Sequence, residues 1–239
     1  MFYRLAKYFL TLLLALLPAS VWAQGTIYTK SARLADFPQK TTKIVLSGQK
    51  LLDEVLKEEI TSRWRISPYE FCDEEEFLAT RTVSRYYYLH FVFDDEFTWM
   101  QLYKGGPATG NPLRTAMEVV SVPVASSEEA TMDELVFLPA FIDMVQEYLL
   151  KALVSDKVSY LGLKGIVNKS KKGKFICNDE KEGRELFVAG AKGTIIPIIV
   201  WGTPGEKHRR YWRMRVSTDD HLLYDYRRKK VTMKHSVLL

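Results

Sequence analysis

With 239 residues, of which 47% are hydrophobic and 26% charged, the chain can bury a core and does not have the composition of a disordered protein. Its net charge of +5 is modest, and its two cysteines and four histidines lack the spacing of a structural zinc site. Acids dominate residues 53–76, and bases dominate residues 205–239. These segments are expected to meet two different partners, to face each other, or simply to face solvent.

The N-terminus has the layout of a secretory signal peptide. Arg4 and Lys7 precede a hydrophobic run over residues 9–17, and Pro18 separates this run from a small-residue site that ends at Ala23. The run is shorter than the about 20 apolar residues that a membrane-spanning helix needs. We therefore expect cleavage after Ala23, a location in the periplasm or outside the cell, and no transmembrane helix after cleavage. An uncleaved N-terminal anchor is the alternative.

Export restricts the expected chemistry. ATP, NAD and most nucleic acids are scarce outside the cytosol, so kinase, dehydrogenase and DNA-binding functions are not expected. The glycines at 190 and 193 do not lead into the Lys-Ser/Thr ending of a phosphate-binding loop, and no nucleophile elbow or zinc-protease motif occurs. We expect no cofactor and no metal. Asp219, Asp220 and His221 offer cation ligands, but consecutive aspartates are typical of a turn.

The N-terminal half predicts alternating strands and helices. Residues 24–42 lack periodicity and are expected to form an exposed lead-in, part of which can lie along the domain. A short strand over Lys43–Leu46 precedes a helix over Gln49–Arg63, in which Asp53 falls on the solvated face. The acidic run that begins at residue 73 predicts a second helix over Asp73–Thr80, because acids favour a helix N-terminus.

A β-hairpin is predicted for Tyr86–Phe93 and Phe97–Tyr103. If the three acids between these strands form the loop, Phe91 lies opposite Trp99 and aromatic side chains line one face. The other face mixes polar and apolar side chains. It is expected to pack under a helix or, alternatively, to line a ligand groove.

The middle of the chain predicts one more strand and the major helix. After a strand at Met117–Val124, Ser126–Glu129 and Thr131–Glu134 resemble helix starts, and the second has the spacing of a capping box. The major helix is expected over Leu138–Val154, with a core-facing stripe at helical spacing that includes Phe141.

The remaining residues predict strands, and the order of elements predicts an α+β fold. The expected strands are Lys174–Asn178, Glu185–Ala189, Thr194–Trp201, Tyr211–Ser217 and Leu222–Arg228. Pro197 places its strand at a sheet edge or at a bulge. We expect a two-layer sandwich in which two main helices cover a mostly antiparallel sheet. Residues 43–239 are predicted to form one domain, which divides, if at all, into a mixed part 43–160 and a β-rich part 174–239.

Cys72 and Cys177 are the two cysteines of the chain. An oxidising compartment favours a disulfide between a lone pair, but the sequence leaves open whether these residues are bridged or free. Neither has a neighbouring histidine that would lower the pKa of its thiol, so a catalytic cysteine is not expected.

Bases alternate with aromatic residues over 208–215, and this segment is the predicted binding site. In a strand, Arg209, Tyr211, Arg213 and Arg215 share one face, and arginine donates paired hydrogen bonds to carboxylate, sulfate or phosphate. The expected partner is an anionic envelope component or an acidic protein; nucleic acid is not expected. In the alternative, these arginines pair internally with the acidic segment 53–76.

Residues 51–77 carry a limited resemblance to known proteins. The helix Leu51–Arg63, the segment Trp64–Phe71 and the sequence Glu75-Glu76-Phe77 resemble exported, uncharacterised proteins of Bacteroidetes-type bacteria. The strand–helix–strand order is also similar to the small α/β domain of periplasmic envelope-assembly proteins, such as the N-terminal domain of TolB. The resemblance implies an envelope location and no functional residues, and the β-rich part departs from it.

Together these features predict an exported binding or assembly module of the cell envelope without catalytic activity. The alternative is a secreted or periplasmic hydrolase whose site forms only by long-range folding.

Overall fold

The computed structural model describes residues 30–106 and 117–233 and confirms an α+β fold, with its strands in two sheets. The first sheet contains β1 (Thr41–Val45), β2 (Tyr69–Cys72), β3 (Tyr86–Phe93), β4 (Phe97–Lys104) and β5 (Met117–Ser126). Their order across the sheet is β2-β1-β3-β4-β5. β1 is parallel to β2 and β3, whereas β4 is antiparallel to β3 and β5.

The second sheet contains β6 (Phe175–Ile176), β7 (Thr194–Trp201), β8 (His208–Ser217) and β9 (Leu223–Thr232), in that order. β7, β8 and β9 form an antiparallel meander, and β6 is parallel to β7. Because β6 pairs only with Thr194 and Ile195, Pro197 lies on an open edge of β7, as the sequence predicted.

Five α-helices accompany the sheets in the described residues. They are α1 (Lys50–Arg63), α2 (Glu74–Thr80), α3 (Leu138–Ala152), α4 (Asp156–Leu161) and α5 (Glu180–Val188). Short 3₁₀ helices occur at Ser31–Arg33, Phe37–Gln39, Met132–Phe137 and Gly162–Ile166.

α3 lies at the centre of the core. Its predicted stripe is buried: Phe141 is 1% exposed and Tyr148 is 0% exposed. The hydrophobic cluster around this helix includes Val122 of the first sheet and Ile198 and Trp212 of the second. The side chains of both sheets therefore pack into one continuous core.

The β3–β4 hairpin is present, but the predicted register is wrong by one residue. Phe91 lies opposite Met100 instead of Trp99. The turn sets the register, because the Asp94 N–H donates to the Phe97 carbonyl at 3.0 Å and the Asp94 carboxylate accepts the Phe97 N–H at 2.6 Å. Asp94 and Phe97 thus pair with each other, the loop has two residues instead of three, and the expected aromatic face is not formed.

The predicted strand over residues 185–189 is wrong, because residues 185–188 lie in α5 and Ala189 is its C-cap. Asp179 caps this helix, and its side chain accepts the Glu182 N–H at 2.8 Å. An aspartate followed three residues later by a glutamate starts a helix, and this signal outweighs the short apolar run that follows it. Gly183 allows close packing on β7, since a Cβ there would lie 3.0 Å from Pro197 Cδ.

The described part of the predicted lead-in lies along the domain, with some of its residues exposed and others buried. Leu34 and Phe37 are both 0% exposed, and the Tyr87 hydroxyl donates to Asp36 at 2.6 Å. Burial of the two large apolar side chains is favourable, whereas an exposed segment would leave both in contact with water. Residues 24–29 and the predicted signal peptide, residues 1–23, lie outside the described residues.

Cys72 and Cys177 are both free and buried. Burial raises the pKa of the Cys72 thiol to about 11, so this side chain stays protonated near neutral pH. Over residues 30–106 and 117–233, no helix combines the length and the apolar character needed to cross a membrane.

Candidate ligand-binding cavity

An apolar cavity lies where three strands of the first sheet end. β1, β3 and β5 all run in the same direction, because β4 is antiparallel to both β3 and β5. Ser47 follows β1, Phe91 and Phe93 end β3, and Val124 and Ala125 lie near the end of β5; all five line the cavity. The carboxyl ends of parallel strands are the usual position of ligands in α/β sheets.

The cavity has a volume of about 240 Å³ and mostly apolar walls. Further apolar walls come from Leu52 of α1 and from Leu135, Leu138 and Phe141 around the start of α3. An apolar cavity of about 150 Å³ holds benzene, so this one has room for an aromatic ring or a branched alkyl group. Phe93 is 64% exposed and stands at the mouth.

The loop from β1 into α1 has the strand–loop–helix order that often binds anions. Here the loop binds a carboxylate of the same chain instead. The Asp53 carboxylate accepts the N–H and the hydroxyl of Ser47, each at 2.8 Å, and the Gly48 N–H at 3.0 Å. Gly48 has a φ of 78°, which glycine adopts without strain.

The prediction that Asp53 faces solvent is therefore wrong. The residue is only 9% exposed, because its side chain turns back to the loop. Its carboxylate accepts the hydrogen bonds of the loop amides and repels other anions. This side of the cavity therefore favours an uncharged ligand group over a phosphate.

Among the described residues that line the cavity, Glu134 is the one that carries an ionisable side chain. Its carboxylate accepts the Thr131 N–H at 3.0 Å and the Thr131 hydroxyl at 2.7 Å, which confirms the predicted capping box. The other predicted helix start is wrong: Ser126 ends β5, and its hydroxyl accepts the Glu129 N–H at 3.2 Å in a bend. Glu134 is thus engaged in capping the 3₁₀ helix Met132–Phe137, which leads into α3.

A second, more polar cleft of about 160 Å³ adjoins the cavity and shares Val124, Ala125, Glu134 and Phe141 with it. The cleft also contains Glu129, Glu180, Arg184 and Arg209. Arg184 pairs with Asp133 at 3.0 Å, and Arg209 pairs with Glu129 at 2.6 Å. Burial raises the pKa of Glu180, although the positive charge of Arg184 opposes this effect.

The predicted binding residues lie together on one face of β8, and all are partly buried: Arg209, Tyr211, Arg213 and Arg215. The Arg209 guanidinium lies 5.3 Å from the Trp201 ring, in addition to its contact with Glu129. The Tyr211 ring also packs on Trp201, with 4.6 Å between ring centroids. Of the four residues, Arg209 is the one that lines the second cleft.

The other two arginines also have internal partners. Arg213 donates to Asp225 at 2.6 Å, and Arg215 donates to Asn178 at 2.6 Å. The partners of the β8 arginines therefore come from several elements, but not from the acidic segment 53–76.

The histidines of the described residues do not form a nucleophilic site. His221 hydrogen-bonds through Nδ1 to Asp143 at 2.7 Å and stacks on Phe187, which ties the β8–β9 turn to α3 and α5. No described histidine lies within hydrogen-bond distance of a serine hydroxyl or cysteine thiol. Asp219 and Asp220 bind Lys174 at 2.8 and 3.6 Å, and no cluster of metal-ligating residues occurs in the part of the chain that the structure describes.

A scan against protein-family models, a search of curated proteins and a search of solved structures each find no match to the chain. The sequence did not identify the cavity, because its walls come from apolar positions that equally serve a core. The sequence did contain one indication of the cavity, because an aromatic residue, Phe93, lies directly before a polar turn.

Proposed function

We propose that the protein is a non-catalytic binding module of the cell envelope whose ligand inserts an apolar group into the cavity between α1, α3 and the ends of β1, β3 and β5. The observation that carries the proposal is the open cavity of about 240 Å³, with largely apolar walls and Glu134 as the single ionisable residue among the described residues that line it. Such a cavity offers binding energy through apolar burial. It offers no pair of groups for acid–base catalysis.

The envelope location rests on the signal-peptide pattern of residues 1–23. The site residues Arg209, Tyr211, Arg213 and Arg215 belong to the same proposal as the contact for an anionic component. Because Arg209 lines the cleft beside the cavity, a ligand with its apolar group inside would bring a polar end close to this arginine.

The test is a fluorescence titration of the mature protein with N-phenyl-1-naphthylamine, an uncharged apolar probe. Ala130 is exposed and lines the cavity, so Ala130→Trp should fill the mouth without disturbing the core. We expect the probe to bind the wild type and to bind the variant at least about tenfold more weakly, since lost apolar contact area lowers affinity.

The matched control is Ala79→Trp, which changes an exposed alanine of α2 outside the cavity lining and should leave binding unchanged. Wild-type affinity in Ala130→Trp, or an absence of probe binding in the wild type, would contradict the proposal.

A hydrolase is the second candidate, and the polar cleft favours it. Glu180 has a raised pKa and shares the cleft with two further glutamates, so it is a candidate general acid. Turnover of p-nitrophenyl glycosides or esters that is lost in Glu180→Gln and kept in Glu185→Gln, an exposed position of the same helix, would support the hydrolase. Turnover that both variants retain, or no turnover by the wild type, would count against it.

A further inference from the structure

β9 forms one edge of the second sheet, and half of this edge is open. The strand order ends with β9, so none of the described strands pairs with its outer side. The start of the strand is covered, because the Asn168 N–H donates to the Leu223 carbonyl at 2.7 Å. From Arg227 to Thr232 the side chains are exposed or partly exposed.

The ladder between β8 and β9 shows which backbone groups are free. In an antiparallel pair, alternate residues exchange both hydrogen bonds with their partners, and the residues between them point their N–H and C=O groups away. The Met233 N–H donates to the Lys207 carbonyl at 3.0 Å, so the bonded positions of β9 continue at residues 231 and 229. The outward positions are therefore Arg228, Lys230 and Thr232.

The opposite strand agrees with this assignment. Arg210 pairs with Lys230 in the register, and the Arg210 carbonyl accepts the Gly202 N–H from the β7 side at 2.9 Å. Because the backbone of Arg210 points toward β7, the backbone of Lys230 is left facing the open side.

The open edge is strongly cationic. Lys229 and Lys230 are exposed, and no acid of the described residues lies within ion-pair distance of either. Arg227 is 66% exposed while it pairs with Asp225. Cations on an edge strand repel a second copy of the same edge, which protects against self-association. The same charges attract an acidic strand. The edge therefore favours an acidic partner over a second copy of itself.

We propose that the Arg228–Thr232 edge of β9 binds an extended acidic segment of a partner protein by strand addition. Outward N–H and C=O groups at alternate residues supply main-chain hydrogen bonds, and the neighbouring lysines select acidic side chains. This interaction surface is separate from the cavity of the proposed function, since none of these edge residues lines it.

The test uses calorimetric titration with a synthetic seven-residue peptide of alternating glutamate and valine. Its control is the same peptide with N-methyl groups on every backbone amide, which keeps the charge but removes the main-chain donors of both edges. We expect the parent peptide to bind and the N-methylated peptide to bind at least about tenfold more weakly, because strand addition depends on main-chain donors.

A pair of variants separates backbone from charge. Lys230→Ala and Lys230→Pro remove the same charge, but only proline also removes the outward N–H, at an edge position where proline is tolerated. We expect Lys230→Ala to weaken peptide binding by about threefold, as loss of one exposed charge does, and Lys230→Pro by about tenfold or more. Melting temperatures of both variants show whether either has lost the fold.

Three results would overturn the proposal: no binding of the parent peptide, equal binding of the N-methylated peptide, or equal effects of the two substitutions. Dextran sulfate that binds as tightly as the peptide would point to a general polyanion surface instead. Dimer formation by the protein alone would point to a second copy. Ala130→Trp should bind the peptide like the wild type, so failure of the cavity proposal is distinguishable from failure of this one.

Discussion

Glu96, in the turn of the β3–β4 hairpin, accepts a hydrogen bond from Arg228 of β9 at 2.5 Å. The second oxygen of the Glu96 carboxylate pairs with Arg210 of β8, and the Glu96 backbone carbonyl accepts the Thr203 N–H at 2.9 Å. One acidic residue thus joins the first sheet to the second. Arg210 and Arg228 therefore pair with an acid of the hairpin turn and not with the acidic segment 53–76.

Replacement of Glu96 by glutamine should destabilise the protein. The Arg228 side chain is 21% exposed, and its Nε already lacks a partner among the described residues, so loss of the carboxylate leaves a partly buried charge unpaired. We expect a decrease of about 1–2 kcal/mol in the free energy of unfolding, measured in urea. Glu128→Gln, at an exposed acid nearby, is the control and should change it little. Equal stabilities of the two variants would show that the bridge contributes nothing.

His90 makes the fold sensitive to acid. It lies against Phe77 and Tyr103, with ring centroids 5.1 and 5.0 Å away, and burial lowers its pKa from 6.5 to about 4, although a hydrogen bond with Gln101 opposes this. Between these two pKa values the unfolded chain binds a proton that the folded chain does not. Stability therefore falls as the pH decreases from 6.5 to about 4.

The variant His90→Phe keeps the ring and removes the titration. We expect the unfolding free energy of the wild type, relative to this variant, to fall by about 3 kcal/mol between pH 7.5 and pH 4. Urea unfolding at a series of pH values measures it, with His208→Phe at an exposed position as the control. Parallel curves for wild type and His90→Phe would contradict the pKa assigned to the buried ring.

The sequence could predict elements whose signals are local and long. The stripe of α3 and the meander β7–β9 follow from hydrophobic spacing alone. The register of the β3–β4 hairpin could not be predicted in this way, because one side-chain contact, from Asp94 to the Phe97 N–H, decides it.

The cavity and the β8 arginines depend on contacts between distant residues. Arg209 meets Glu129 across 80 positions, and Arg210 meets Glu96 across 114. Charge patterns located the arginines correctly on one face, but no local pattern identifies the partners that hold them. Two exposed cations that lack an ion pair in the described residues, Lys229 and Lys230, lie one strand further, where the sequence showed only continued basicity.

Signal-peptide processing is a prediction that rests on the sequence. The chain purified from its native compartment should begin at Gln24, and Ala23→Asp should leave the precursor uncleaved, because the small residue before the cut is required. Intact-mass measurement of the exported fraction tests both expectations, with Gln24→Ala as a control that should be processed. Full-length protein recovered from the cytosol would contradict export.

Substitution of Arg213 can distinguish a structural role of the β8 face from a binding role. Its partner Asp225 also accepts Arg227 at 2.7 Å and has a side chain that is 12% exposed. Burial would raise the pKa of Asp225, but hydrogen bonds from Arg213 and Arg227 lower it, so the folded state needs these cations. We expect Arg213→Ala to reduce the free energy of unfolding by about 1–2 kcal/mol and exposed Lys229→Ala by about 0.5 kcal/mol or less.

Urea unfolding and dextran sulfate binding, measured on both variants, separate the two roles. If Arg213 mainly holds Asp225, its replacement lowers stability and leaves binding nearly unchanged, whereas Lys229→Ala does the reverse. Binding that is lost in Arg213→Ala at unchanged stability would support the proposed anion contact at Arg209, Tyr211, Arg213 and Arg215. In that case the affinity should also fall as salt is added, because exposed charges are screened within about 8–10 Å.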